Sequence, residues 1–174
     1  MRVISFTLLL LALLACAAAP AGAADDKSNG ADVDFLFRLG MMEGHLMVGH
    51  ELVKANQVQL GLPHYGHPVK ELYDDVADYL KAKNAPGFDK DLIVLEAATT
   101  AAPDAPATEA KYQAVIAEIH QARALAPAPL RASLPEMIKV CANTVDAASG
   151  EYGEALEQDK IASPVEYHDS RGYL

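Results

Sequence analysis

The sequence predicts an all-α fold, a single-domain up-and-down helical bundle of four to five helices plus a short C-terminal helix. Two observations support this prediction. Apolar residues recur at alternating spacings of three and four along nearly the whole chain, and no segment shows the apolar/polar alternation or the Val, Ile and Thr enrichment of a strand. Connections between the helical segments are short, which favours antiparallel neighbours. The 174 residues suffice for one core and are too few to predict two.

The N-terminus is predicted to be an export signal, residues 1–23. Arg2 provides a positive start, residues 8–14 form a nearly unbroken apolar run, and Ala21-Gly22-Ala23 fits a signal-peptidase site. The apolar run is too short to span a bilayer. An alternative takes Leu13-Leu14-Ala15-Cys16 as a lipobox that ends at a lipidated Cys16. Both interpretations predict a protein outside the cytoplasm, either periplasmic or secreted, or lipid-anchored on the extracytoplasmic side.

Residues 24–31 are predicted to be a flexible tether, and residues 32–174 the helical domain. The first helix is expected from Asp32 to about Ala55, and its end is set by Asn56, which tolerates the left-handed C-cap conformation. The second helix then begins near Val58 and is kinked by Pro68. The inward stripes of these two helices are Phe35, Leu39, Met42, Leu46, Gly49 and Val53, then Val69, Leu72, Tyr73, Val76 and Leu80.

Three further helices are predicted after the proline- and glycine-containing break at Asn84-Ala85-Pro86-Gly87. The third runs from Asp89 to about Ala101, and the fourth follows Pro106. A capping box, Ser133-Leu134-Pro135-Glu136, opens the fifth. Its expected buried stripe is Leu134, Ile138, Cys141, Val145, Ala148 and Tyr152. Ser163-Pro164 and Gly172 then bound a short terminal helix, which we expect to be a solvated tail, with folding back of Glu166, His168 and Asp169 as a lid as the alternative.

Charge and cysteine content exclude several classes of function. Without Arg2, 13 basic residues remain against 24 acidic ones, a formal charge of −11, which repels nucleic acid and anionic lipid and attracts cations. No nucleic-acid partner is therefore expected, and membrane contact is expected only through the N-terminal lipid. Cys141 has no intramolecular disulfide partner once Cys16 is removed or lipidated. We expect it to be a small buried hydrophobe rather than a reactive thiol or a soft metal ligand.

The most informative feature is a histidine cluster. Four of the six histidines lie within one 23-residue window, together with carboxylates and thioethers, which are the ligand types of transition-metal sites. The predicted metal ligands are His45, His50, His64, His67 and Glu71. Four further side chains are candidates for extra ligands or for groups that orient the ligands: Met41, Met42, Glu96 and His168.

Helix geometry divides this cluster. His50 points about 140° away from His45 around the first helix, so these two alone cannot both face one ion, and whether the four histidines form one site depends on where the chain turns back. His64, His67 and Glu71 are separated by three and four residues and share one face of the second helix. If the chain turns at Asn56, residues at the same level of the hairpin have numbers that sum to about 113. All four histidines then lie at the same height.

These observations predict an extracytoplasmic transition-metal-binding protein that acts in sequestration, delivery or uptake, and not in catalysis. The metal is Cu, Zn or Fe, and a periplasmic or membrane protein is a candidate partner. His50-Glu51-Leu52-Val53-Lys54 departs from the H-E-x-x-H motif of zinc proteases because Lys54 stands at the second ligand position. The paired Glu-x-x-His motifs of di-iron bundles and the C-x-x-C-H motif of covalent haem do not occur.

Two alternatives remain open from the sequence. One is a helical interaction module without metal, in which exposed histidines and Tyr65, Tyr73 and Tyr79 of the hairpin hold a partner protein or peptide. The other is a noncovalent haem or small-molecule binder, whose apolar pocket is lined by Met41, Met42 and His45.

Overall fold

The structure is a computed structural model that describes residues 25–174. The expected signal peptide, the lipobox and Cys16 lie outside the described residues. The described chain is all-α and forms one helical domain with a short helix at its C-terminus, as the sequence predicts. The helices are α1 (Asp25–Lys54), α2 (Val58–Gly61), α3 (Pro63–His67), α4 (Tyr73–Ala82), α5 (Asp89–Ala101), α6 (Pro106–Arg123), α7 (Ala128–Arg131), α8 (Leu134–Glu154) and α9 (Pro164–Tyr173).

The first turn of the chain lies where the sequence predicts it. α1 ends at Lys54, Asn56 adopts the left-handed conformation with φ 64°, and α2 begins at Val58. The start of α1 differs from the prediction, because the helix begins at Asp25 and so includes residues 25–31, which were expected to form a tether. The first arm of the hairpin is therefore a single helix of 30 residues.

The predicted kink at Pro68 is confirmed as a π-helical turn, Pro68–Leu72, between α3 and α4. Proline has no N–H to donate, and its ring displaces the carbonyl of the preceding turn. A wider, π-type turn accommodates both effects without ending the helical path. His64 and His67 therefore lie just before the turn, and Glu71 lies within it.

The main core forms where α1, α4, α5 and α6 pack together. Its fully buried members are Phe35, Leu39, Met42, Leu46, Val53, Val76, Leu92, Leu95, Val115 and Ile119. A smaller cluster, Val33, Leu36, Ala126 and Leu130, joins α1 to α7. Among residues 25–174, no helix combines the length and the apolar character needed to cross a membrane.

The predicted buried stripe of α8 is wrong except at Ala148, which is buried. Leu134, Ile138, Val145 and Tyr152 are exposed, and Cys141 is exposed as well. The helix packs against α1 and α9 through its neighbouring face, of which Ala148 is buried and Met137, Val140 and Ala147 are half-buried. Periodicity identifies residues that share a face, but the more apolar face of α8 has no neighbour in the described domain. Ser133 and Ser163 occupy the N-cap positions of α8 and α9, yet neither makes the predicted side-chain capping bond.

The prediction of no strands is also corrected, for four of the described residues. Leu156–Glu157 (β1) and Lys160–Ile161 (β2) form a short antiparallel hairpin, whose turn residues Gln158 and Asp159 both have positive φ. The hairpin reverses the chain after α8. α9 consequently returns to pack against α8 and α1, and is not the solvated tail that was expected.

Two glycines allow the close approach of α1 and α9. A Cβ on Gly44 would lie 2.5 Å from the carbonyl oxygen of Gly172, and a Cβ on Gly172 would lie 2.7 Å from the carbonyl oxygen of Gly44. Both distances are shorter than any van der Waals contact. The crossing of the two helices therefore requires that neither position carries a side chain.

We predict that Gly44→Ala lowers the free energy of unfolding by about 1–3 kcal/mol, because the added methyl group pushes α9 away from α1. Gly40→Ala in the same helix is the control, since nothing lies within 4 Å of its Cβ. This control should be neutral, or stabilising by up to about 1 kcal/mol through helix propensity. Urea denaturation followed by circular dichroism measures both variants, and equal stability of the two would contradict the close packing of α9.

Candidate metal centre

Three helices bring four chemically active side chains together; two of the helices belong to the first hairpin, and the third follows more than 100 residues later. His45 comes from α1, His64 and His67 come from α3, and Asp169 comes from α9. The register of the first hairpin agrees with the predicted sum of 113, because a Cβ on Gly49 would lie 3.0 Å from the Cβ of His64. The absence of a side chain at Gly49 lets α3 approach α1 closely enough for His64 to reach the interior.

The Asp169 carboxylate is the centre of the group. Its Oδ1 accepts hydrogen bonds from Nδ1 of His45 and from Nδ1 of His64, both at 2.6 Å. Its Oδ2 lies 3.2 Å from Nδ1 of His67, in a contact that is not aligned as a hydrogen bond. One atom from each of the four residues lies within 4.8 Å of the corresponding atoms of the other three. Three imidazoles therefore converge on one carboxylate through the same ring nitrogen.

The cluster is almost completely removed from water. His64 is 0% exposed, His45 1% and Asp169 2%, whereas the His67 side chain retains 20% exposure and forms the accessible edge. Burial opposes ionisation of Asp169, but the hydrogen bonds from His45 and His64 outweigh it and hold the pKa of Asp169 below its usual range. Burial lowers the pKa of His45 despite the opposing effect of Asp169, and so favours the neutral imidazole that metal ions require.

The accessible edge has a different electrostatic character. The Asp169 carboxylate raises the pKa of His67 against the opposing effect of burial. Glu71 Oε1 lies 3.9 Å from Nε2 of the same ring. Burial, together with Asp169 and neighbouring glutamates, raises the pKa of Glu151 to about 7. Carboxylates therefore surround the one imidazole of the cluster that solvent can reach.

The outer nitrogens of the three imidazoles are not all satisfied. Nε2 of His45 is 2.7 Å from the Tyr173 hydroxyl, which fixes the orientation of that ring. Nε2 of His64 is buried and has no hydrogen-bond partner among the described residues. Nδ1 of His168 is also buried without a partner, and its ring lies perpendicular to that of His64 with centroids 6.1 Å apart.

This arrangement could hold a metal ion. In a tetrahedral site with metal–ligand distances of about 2.0–2.1 Å, neighbouring ligand atoms are separated by roughly 3.3 Å. The two Nδ1–Oδ1 distances of 2.6 Å are shorter than this separation, whereas the upper bound of 4.8 Å on the separations among the four ligand atoms is longer. Side-chain rotations that move ligand atoms by about 1 Å would bring three nitrogens and one oxygen to equal distances from a central ion.

His45, His64 and His67 lie in the cluster, but His50 does not. Its Nε2 is 2.9 Å from Glu109 of α6, and its ring stacks on Tyr112 with centroids 4.0 Å apart. The separation of about 140° around α1 sends His45 towards α9 and His50 towards α6. The prediction that all four histidines share one site is corrected in this respect.

The other predicted residues occupy different positions. Glu71 is exposed and lies beside His67, outside the group of four. Glu96 is 2.6 Å from the Lys70 ammonium in a surface ion pair. Met41 and Met42 are packed in the core and do not line an open pocket. His168 is adjacent to His64, consistent with a supporting position around the cluster.

The tyrosines of the first hairpin are not a free surface. Tyr65 and Tyr73 are buried, and Tyr79 is half-buried and stacked on Phe35. Of the tyrosines that the alternative interaction module would use, Tyr65 and Tyr73 therefore offer almost no exposed surface.

Asp169 is the site residue that the sequence analysis did not select. It lies 105 residues after His64, in a helix that was expected to be solvated. The helix-start pattern at Ser163-Pro164 predicted a terminal helix, and the alternative in which Glu166, His168 and Asp169 fold back as a lid did not identify the residues that Asp169 would contact. The pair of glycines at positions 44 and 172 that brings α9 onto α1 has no recognisable signature in a single sequence.

We predict that Asp169→Asn lowers the free energy of unfolding of the metal-free protein by about 1.5–3 kcal/mol, because charge-assisted hydrogen bonds to two buried imidazoles are lost. Asp78→Asn at an exposed position of α4 is the control and should change stability by less than about 0.5 kcal/mol. Guanidinium denaturation at neutral pH measures both. Equal effects of the two substitutions would show that Asp169 is not the buried acceptor.

No protein-family model matches this chain, and comparisons with curated proteins and with solved structures give no match either. The proposed function therefore rests on the chemistry of the four-residue cluster.

Proposed function

We propose that this protein is an extracytoplasmic binding protein for a divalent transition-metal ion, which is held by His45, His64, His67 and Asp169. One observation carries the proposal: four side chains from three separate segments place their ligand atoms within 4.8 Å of one another in a buried site. The predicted export signal supports an extracytoplasmic location.

The donor set favours Zn²⁺ or Fe²⁺ over Cu⁺. Three imidazole nitrogens and one carboxylate oxygen are borderline to hard donors, whereas Cu⁺ prefers thiolate and thioether sulfur. Met41 and Met42, the candidate thioether ligands for copper, are packed in the core. Four protein ligands match the tetrahedral coordination that Zn²⁺ adopts most often. Cu²⁺ should still bind tightly in vitro, because imidazole sites follow the Irving–Williams order.

The structure of the cluster supports binding and transfer rather than catalysis. Catalytic zinc sites have three protein ligands and leave one coordination position for water or substrate, whereas closed sites use four. Here four donors converge and three of them are fully buried. The acidic surface charge attracts cations, and the carboxylates of Glu71 and Glu151 lie on the side where His67 is accessible. We infer sequestration, delivery or uptake of the ion as the role.

We predict that the chelator-treated protein binds one Zn²⁺ per chain with a Kd below about 10 μM, measured by isothermal titration calorimetry. The double variant His64→Gln/His67→Gln should weaken binding at least about 100-fold, because half of the ligand set is lost. The control is His50→Gln/His120→Gln, which removes the same number of histidines at positions bonded to Glu109 and Glu43.

The control variant should retain the affinity of the unmodified protein. Equal loss of affinity in both double variants would indicate nonspecific binding by surface histidines, and unchanged affinity in the His64/His67 variant would contradict the proposed site. Circular dichroism of each variant without metal verifies that the helical fold is retained.

A further inference from the structure

A cavity of about 250 Å³ lies between the end of α4, the loop that connects α4 to α5, and the C-terminal part of α6. Its wall is mostly apolar and includes Leu80, Phe88, Ala122 and Leu125. Among the described residues that line it, Glu118 is the only charged one. An apolar cavity with a single carboxylate is typical of a small-molecule site, in which a few polar groups orient an otherwise apolar ligand.

The loop on one side of the cavity is held in place by Tyr73. The Phe88 N–H donates a hydrogen bond of 2.9 Å to the Tyr73 hydroxyl, and the two rings meet edge to face with centroids 5.3 Å apart. A Cβ on Gly87 would lie 2.5 Å from the same hydroxyl, so the loop can pass Tyr73 only without a side chain at this position. The cavity is therefore preformed, and a ligand would not have to order this loop.

The Glu118 carboxylate lacks a partner. Its Oε2 is buried and has no hydrogen-bond donor among residues 25–174. Burial, and then the negative charge of Asp91, raises the pKa of Glu118, and no cationic side chain of the described residues opposes these two effects. Buried acceptors in folded proteins almost always have a donor. A ligand that brings a positively charged donor would satisfy this one.

We propose that this cavity binds a small organic ammonium ion, whose N–H group donates a hydrogen bond to Oε2 of Glu118 and whose apolar body packs against the apolar wall. The proposal is independent of the metal centre, because none of the four proposed metal ligands lines the cavity. Hydrogen bonds between an ammonium group and a carboxylate are stronger than those between neutral groups. An apolar cavity of about 150 Å³ binds benzene, so the larger cavity here accommodates one aromatic ring with a short aminoalkyl chain.

Titration of the ¹⁵N-labelled protein with 2-phenylethylamine, followed by NMR, tests the proposal. An ionic strength of about 0.15 M screens weak binding to the acidic surface. We expect a Kd below about 1 mM, with the amide shifts concentrated at residues 85–88 and 118–125. 2-Phenylethanol has a similar shape without the charge and should bind at least about tenfold more weakly. No binding of the amine up to about 5 mM, shifts that map elsewhere, or equal binding of the alcohol would overturn the proposal.

Three variants separate the effect of charge from the effect of space. Glu118→Gln should weaken binding of the amine at least about tenfold and leave that of the alcohol within about threefold. Glu157→Gln removes the same charge at an exposed position of the β-hairpin, and this control should bind the amine within about twofold of the unmodified protein. Ala85→Leu fills part of the cavity and should weaken binding of both compounds at least about fivefold.

The amide spectrum of each variant verifies that it is folded. Equal affinity of the Glu118 variant and the Glu157 control for the amine would overturn the role of Glu118. Tighter binding of Nα-acetyllysine methylamide than of 2-phenylethylamine would overturn a free amine as the ligand, and would indicate a lysine side chain of another protein instead.

Discussion

The buried Asp169 carboxylate joins the C-terminal helix α9 to the two buried histidines of the first hairpin. An anion with 2% exposure is stable only when polar groups replace the lost water, and Nδ1–H of His45 and of His64 provide that replacement. In return, Asp169 satisfies two imidazoles that α1 and α3 bring into the interior. Removal of Asp169 would leave two buried imidazoles without their acceptor, and removal of the imidazoles would leave a buried carboxylate without its donors. These hydrogen bonds therefore hold the C-terminal helix against the first hairpin. The glycine pair at positions 44 and 172 makes this contact possible by letting the two helix backbones approach closely.

The same cluster has more nitrogen atoms than one carboxylate can satisfy. Nε2 of His64 and Nδ1 of His67 have no hydrogen-bond partner among the described residues, and each unsatisfied buried group costs about 1–3 kcal/mol. A cluster that served only to stabilise the fold would be better built with fewer imidazoles. A cation coordinated by three nitrogens and the carboxylate gives His67 a partner, relieves the crowding around Oδ1 and balances the negative charge of Asp169. This excess of nitrogen atoms and the closed geometry support the proposal that the cluster holds a metal ion.

Local chemistry predicted the parts of the site that lie near one another in sequence. The left-handed preference of Asn56 located the turn, the turn set the hairpin register, and the spacing of His64 and His67 placed both on one face. Helix geometry showed that His45 and His50 point in different directions. Which of the two joins the cluster depends on the position of α9, which packs on the side of α1 that carries His45. Asp169 lies more than 100 residues from both histidines to which it is hydrogen-bonded, and no periodicity encodes such a contact. For the same reason, the apolar stripe of α8 was identified correctly as a face but assigned to the wrong side, since periodicity does not show where a neighbouring helix lies.

X-ray absorption spectroscopy of the protein loaded with one equivalent of Zn²⁺ measures whether the ion is held by the proposed three imidazoles and one carboxylate. We expect four nitrogen and oxygen neighbours at about 2.0–2.1 Å, with the outer-shell scattering pattern of three imidazoles. The Asp169→Asn variant should lose the oxygen neighbour or hold it at a longer distance from the ion, while the imidazole pattern persists. A spectrum with sulfur at about 2.3 Å, or with fewer than three imidazoles, would contradict the proposed centre.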